Sequence, residues 1–181
     1  MKKIILSVFA ATSLLLYSTP SFAISLSVGV PVDASIKGDD GTAEADGASG
    51  YFLGVQLPFG LGLGMDSHKT KFKDSSTLKV ATSMYNLYYQ LPVPVVSLIL
   101  GLGTGNSIYD CPDEGYGTCA ENYDKGAATQ WYTSIGFPII PFFDIHLSYR
   151  SITSKNVKYK GDGSKYDVSG TVTGIGLAFN F

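Results

Sequence analysis

Hydrophobic and polar positions alternate with a period of two in eight separate segments of the chain, the pattern of strands with one apolar face. The apolar positions are Ile24, Leu26, Val28, Val30 and Val32, then Tyr51, Leu53, Val55 and Leu57, then Phe59, Leu61, Leu63 and Met65. Tyr85, Leu87, Tyr89 and Leu91 come next, succeeded by Val96, Leu98, Leu100 and Leu102. Trp131, Ile135, Phe137 and Ile139 make the sixth segment and Phe143, Ile145, Leu147 and Tyr149 the seventh. The eighth is "TVTGIGLAFNF", residues 171–181, with Ile175, Leu177, Phe179 and Phe181 on its apolar face. After the first 23 residues no segment has a helical period. Three connectors are short and apolar or carry proline (57–60, 91–95, 138–142), and four are longer and polar (37–49, 67–79, 110–127, 154–167). Strands joined as neighbours in this way predict an all-β fold, an eight-stranded antiparallel up-and-down barrel whose closure leaves no free edge. The last long connector carries an Asp162-Gly163 turn, which predicts a hairpin prolonging strands seven and eight.

Alternation alone does not say which face points inward. A soluble ligand-binding barrel would turn the apolar face in, and a membrane barrel would turn it out. Volume separates the two. The eight segments hold 33 large apolar residues, whereas an eight-stranded barrel has an interior just wide enough for ordinary side chains. The opposite parity is rich in glycine (29, 54, 60, 62, 64, 101, 103, 136, 174, 176) with Ser, Gln and Asn, which fit inside. The bulky face therefore points to lipid, giving a transmembrane β-barrel. Aromatic residues mark two rims: Phe59, Tyr89, Phe137, Phe143 and Phe179 near the short turns, and Tyr51, Trp131 and Tyr149 about seven residues up their strands. At ~3.3 Å per residue and a tilt of ~40°, the rims lie roughly 18 Å apart, against an apolar band of about 25 Å expected for such barrels.

Composition narrows the setting. "MKKIILSVFAATSLLLYSTPSFA" has two lysines, an apolar core and small residues before a cut after Ala23, the layout of a secretory signal peptide. Residues 1–23 are expected to be removed, leaving 24–181 as one domain. Without Lys2 and Lys3 the chain has 11 basic and 15 acidic residues, net −4, which argues against a nucleic-acid partner. The richest later apolar run, "VPVVSLILGL" (93–102), is far shorter than the roughly 18 residues of a spanning helix.

Residues 24–181 resemble the small eight-stranded outer-membrane barrels of Gram-negative bacteria, the OmpA transmembrane-domain and OmpX type. The signal peptide, the eight alternating segments with short and long connectors, and the closing "IGLAFNF" carry the resemblance. It implies a place in the outer membrane among lipid and lipopolysaccharide. It also implies that Ile175, Leu177, Phe179 and Phe181 are read by the barrel-assembly machinery. No periplasmic peptidoglycan-binding domain is expected after the barrel, and a monomer is expected.

Several residues carry candidate chemistry. Cys111 and Cys119 are the only cysteines, and an exported loop favours their pairing. The surrounding acids (Asp110, Asp113, Glu114, Glu121, Asp124) match no calcium-loop spacing and read as a solvated loop. The four long connectors alternate in sign, net −3, +3, −4 and +2, so they can pair with one another or present lysines to lipopolysaccharide phosphates. On strand seven Asp144, His146, Ser148 and Arg150 share the inward face. Asp-His-Ser suggests a hydrolase, but positions i, i+2 and i+4 lie ~7 Å apart at Cα. A lumenal polar network fits better, with Arg150 paired to Asp144, Asp66 or Asp33, and His68 filling space beside His146. Phe52, Met84, Tyr88, Tyr132 and Ile99 point inward as a plug. The expected role is non-enzymatic: surface interaction, adhesion or envelope integrity through the outward loops, with no cofactor and no metal. A lipid A-modifying enzyme and a narrow small-solute channel remain the alternatives.

Overall fold

The computed structural model of the chain describes residues 24–38, 41–43, 45–73, 77–93, 95–111, 119–140 and 142–181. The leader expected over residues 1–23 lies outside them, as do Asp113 and Glu114 of the acidic loop. Eight long strands form the wall: β1 (Ser25–Gly38), β2 (Ala45–Gln56), β3 (Leu61–Phe72), β4 (Lys79–Leu91), β5 (Ser97–Asp110), β6 (Gly126–Ile140), β7 (Phe143–Thr153) and β8 (Gly170–Asn180). Each pairs antiparallel with its sequence neighbour, and β8 returns to β1 in a ladder from Ser25↔Asn180 to Ile36↔Gly170. The sheet is a closed eight-stranded barrel.

Side-chain direction follows the alternation. Leu26, Val28, Leu53, Leu63, Leu87, Leu102, Leu147, Ile175 and Leu177 stand exposed on the outer wall. Outward exposure of so many aliphatics is stable only against an apolar medium, since at about 25 cal/mol per Å² water would penalise it heavily. Tyr51, Phe59, Tyr89, Trp131, Phe137 and Tyr149 are exposed on the same face, and Phe143 is half-buried. Trp131 packs on Tyr149 (5.7 Å between ring centroids) and Phe143 on Phe179 (4.5 Å). Phe181 is exposed, and its N–H donates to Ile24 O at 2.9 Å. The predicted girdle and the closing aromatic strand thus all lie on the outer surface.

Proline marks two breaks in register. β1 shifts between Pro31 and Asp33, and β6 between Pro138 and Ile140. Proline cannot donate a ladder bond and gathers at such irregularities. An extra residue inverts the facing of every later position in its strand. Val30 and Val32 face out, but beyond the shift Ala34 and Ile36 turn inward and Asp33 outward. Asp33 is therefore not a member of the lumenal network, a correction that strict alternation could not anticipate.

Above the long-loop end the chain builds a feature of its own. Tyr123–Asp124, Val157–Tyr159 and Lys165–Tyr166 form a separate three-stranded sheet. The expected hairpin is present, turning at Gly163 (φ 80°), where Asp162 Oδ1 accepts from Ser164 N–H at 2.8 Å. It does not prolong β7 and β8; it pairs across to Tyr123–Asp124. Ile36, Val80, Val157 and Val168 form a small apolar core beneath it.

Candidate functional site

The lumen is the first place to look for chemistry, and its contents are set by the inward parity. Midway along it Arg150 (β7) meets Asp66 (β3), Nε to Oδ2 at 2.9 Å, with both side chains buried. The same carboxylate oxygen accepts from Gln130 Nε2 at 2.7 Å, and Gln130 also reaches Asn86 Oδ1. Arg150 Nη1 donates to Ser148, whose hydroxyl donates to Gly174 O at 3.3 Å. The guanidinium lies 3.5 Å from the Phe52 ring centre and 5.0 Å from that of Tyr132. Charge pairing and cation–π contact together satisfy a buried cation. Met84 is fully buried, and His68 meets Phe52 edge-on at 6.0 Å. This layer of buried side chains crosses the middle of the barrel.

A second polar chain runs toward the short turns. Gln90 Nε2 donates to Ser97 Oγ at 3.3 Å, and Ser97 donates to Asp144 Oδ2 at 2.8 Å. Asp144 lies 3.8 Å from His146 Nε2, beyond hydrogen-bond range, while His146 Nδ1 and Ser134 Oγ share a bond at 3.3 Å. The hydroxyl beside the imidazole is thus Ser134 of β6; Ser148 is held by Arg150. The Asp-His-Ser series on strand seven forms no relay. A cavity of about 60 Å³ separates the two chains, lined by Asp66, Asn86, Ser134, His146 and Arg150 among others. A space of that size holds a few waters, and His146 on its lining keeps a buried Nε2 without a hydrogen-bond partner.

Of the predicted network, Asp66, Ser148 and Arg150 come together, Asp144 and His146 form a neighbouring group, His68 packs on Phe52, and Asp33 stands outside. Sequence reasoning named neither Gln130, Asn86, Ser134, Ser97 nor Gln90 individually. Their inward parity was visible, but which cross-lumen groups meet depends on strand stagger.

Glycines explain how the plug fits. Gly62 and Gly101 are the cross-strand partners of Tyr88 on its two sides. A Cβ on Gly62 would lie 2.1 Å from Tyr88 Cζ, and one on Gly101 would lie 2.1 Å from Tyr132 Cε1. Gly136 similarly leaves room for His146. Each ring occupies space that a Cβ at the facing glycine would take.

On the outside, Cys111 and Cys119 are joined in a disulfide. Tyr109 packs on Tyr123 (4.9 Å), Tyr123 on Tyr159 (5.2 Å), and Tyr166 meets both Tyr109 and Tyr123. Burial and the neighbouring Tyr166 and Tyr159 push the Tyr123 phenol above its ordinary pKa. Lys160 Nζ donates to Glu121 O at 2.9 Å and lies 3.8 Å from Asp124, tying the hairpin to the helical turn Cys119–Asn122. Among the described residues no group of three acidic, His or Cys side chains is arranged to hold a metal ion.

No family model matches the chain, and no curated protein does. Solved structures do. The chain aligns with Neisserial surface protein A at TM-score 0.67 and 15% identity, covering 89% of this chain and 97% of that one. The fold is that of a small bacterial outer-membrane β-barrel. The outer membrane protein OprG of Pseudomonas aeruginosa aligns with this barrel at TM-score 0.53 and 12% identity (90% and 97% covered). E. coli Outer Membrane Protein W aligns at 0.51 and 10% (86% and 97%). At such identities the shared property is the outer-membrane barrel architecture.

Proposed function

We propose that the protein is exported by the leader 1–23, cut after Ala23, and resides in the outer membrane as a non-enzymatic surface protein acting through its long-loop end. One observation carries this reading. The lumenal polar groups are mostly engaged with one another, whereas the long-loop end builds an ordered sheet with its own apolar core, disulfide and tyrosine cluster. None of that is needed to close the barrel. Ordered, partly exposed aromatics are enriched where protein surfaces recognise partners. Ile175, Leu177, Phe179 and Phe181 would serve during biogenesis as the segment read by the barrel-assembly machinery.

The test replaces residues 154–167 by a short Asp-Gly turn and follows adherence or agglutination by cells displaying the protein. Loss of the phenotype, with the barrel still shifting on a gel upon boiling, supports the reading. Retention after loop replacement, together with loss in His146→Ala or Ser134→Ala, would favour a lumenal activity. A narrow channel is the second reading, favoured by the cavity beside His146. Single-channel steps in planar bilayers from the unmodified protein would support it over the loop reading.

A further inference from the structure

The base and the tip of the three-stranded outer sheet are held by different parts of the chain. The base is fixed to the barrel. Val157 is fully buried with Ile36, Val80 and Val168. Val168 N–H donates to Ser154 O at 2.8 Å, and Ser154 N–H donates to Ser169 Oγ at 2.9 Å. The tip is held by the segment Cys119–Asp124. Lys160 N–H donates to Asn122 O at 2.8 Å, while its Nζ reaches Glu121 O at 2.9 Å and Ala120 O at 3.4 Å. Three successive carbonyls of the helical turn thus converge on one residue. Tyr159 pairs with Tyr123 in the sheet and meets its ring at 5.2 Å.

Neither side of this contact sustains itself. The hairpin has two ladder pairs, Val157↔Tyr166 and Lys158↔Lys165, and an isolated hairpin in water is marginal. The second pair sets like charges directly opposite one another, which weakens it further. Asp124, opposite Lys158 on its other side and 3.8 Å from Lys160, supplies a carboxylate from the holding segment. A helical turn of four residues is far below the length that sustains a helix in water. It is tied covalently from Cys119, its first residue, to Cys111, the residue after β5. Tyr109 of β5 adds ring contacts with Tyr123 and Tyr166. Support therefore runs from the wall through the disulfide to the turn, and from the turn through Lys160 and Asp124 to the tip.

We propose that Cys111–Cys119 is a redox latch on the outer sheet. Closed, it holds the turn and, through Lys160, the hairpin tip. Opened by a small thiol, it releases the tip, while the barrel and the base of the sheet stay in place. Cys119 is buried and Cys111 half-buried, so the thiolate attacks Cys111 Sγ. The S–S bond breaks, Cys119 leaves as a thiolate, and Cys111 is carried as a mixed disulfide. A second thiol displaces it, so two small thiols are oxidised to one disulfide and the protein gains two cysteine thiols. No other cysteine in the chain competes for exchange. The sheet is the surface assigned above to recognition, but the latch is read from backbone amides, so its failure leaves the adherence reading intact.

The experiment is amide hydrogen exchange, followed by mass spectrometry, on the protein refolded in detergent micelles, before and after dithiothreitol, with free thiols counted in parallel. Reduction should yield two thiols and speed exchange in peptides covering 119–124 and 158–166 by at least about tenfold, within what closing so short a loop contributes. The wall strands and the peptide around Val168 should be unchanged. C111S/C119S should show the same pattern without reductant. Lys160→Met, which keeps the disulfide, should loosen the tip in the oxidised protein and gain less on reduction than the unmodified chain. Two free thiols with unchanged exchange at the tip overturn the proposal. So does a folded protein that yields no thiol to dithiothreitol, or an equal acceleration throughout the wall. A full reductive gain in Lys160→Met would show that the bridge does not act through Lys160, and overturns it as well.

Discussion

Removing Asp66 should be the most damaging single change in the lumen. In Asp66→Ala, Arg150 stays buried, loses its carboxylate at 2.9 Å, and Gln130 loses an acceptor at 2.7 Å. At an effective dielectric of ~20 the pair's Coulomb energy over that distance is about 6 kcal/mol before desolvation. Stacking on Phe52 and Tyr132 would leave the guanidinium partly compensated, so the net loss is expected at roughly 3–5 kcal/mol. Asp66→Leu with Arg150→Met, which removes both charges and keeps bulk, should cost no more than about 1 kcal/mol, because replacing both members of a buried pair is often neutral. Urea unfolding of protein refolded into short-chain lipid vesicles, followed by tryptophan emission from Trp131, gives each free energy. The coupling between the sites comes from the double-mutant cycle. A single-variant loss below about 1 kcal/mol would refute the account of the lumen as a satisfied ionic layer. So would a double variant as unstable as the single.

Asp33, by contrast, faces outward beyond the shift at Pro31, so Asp33→Asn should change stability by less than about 0.5 kcal/mol in the same assay. A loss matching that of Asp66→Ala would return it to the lumen. Gly62→Ala and Gly101→Ala place a methyl against Tyr88 and Tyr132 respectively and should each cost about 1–3 kcal/mol, with Tyr88→Leu relieving most of the Gly62→Ala defect. Replacing Cys111 and Cys119 by serine should leave barrel unfolding within about 0.5 kcal/mol while sharply raising protease cleavage between residues 111 and 125. The reason is that the bridge's roughly 2–3 kcal/mol acts on its own small loop.

The wall of this protein was legible because membrane barrels obey two simple rules, period-two alternation and outward bulk. Residues from Leu26 to Leu177 obey them with few exceptions. The inward positions of Asp66, His146 and Arg150 were readable for the same reason. The features that could not be read depended on register. One extra residue near Pro31 turned Asp33 to the outside, although the proline itself was a signal of irregular pairing. The choice of Asp66 over Asp144 as the partner of Arg150, and of Ser134 over Ser148 as the neighbour of His146, depends on stagger across the lumen. The Tyr123–Asp124 strand is only two residues long, too short for any periodicity, so the outer sheet it joins was visible only as the Asp162-Gly163 turn.

The seam between β1 and β8 also dictates how the molecule must come into being. Ser25 and Asn180, paired in the finished wall, are separated by nearly the entire described chain. A pairing of such long range makes its entropic demand before any reward is returned, which slows folding. Until it forms, two strand edges stand with unbonded amides and carbonyls, which hydrocarbon does not tolerate. No subset of seven strands is a stable stopping point within the bilayer. Closure and insertion are therefore a single kinetic event, and the strands must be held at an aqueous boundary or by a partner until the first can meet the last.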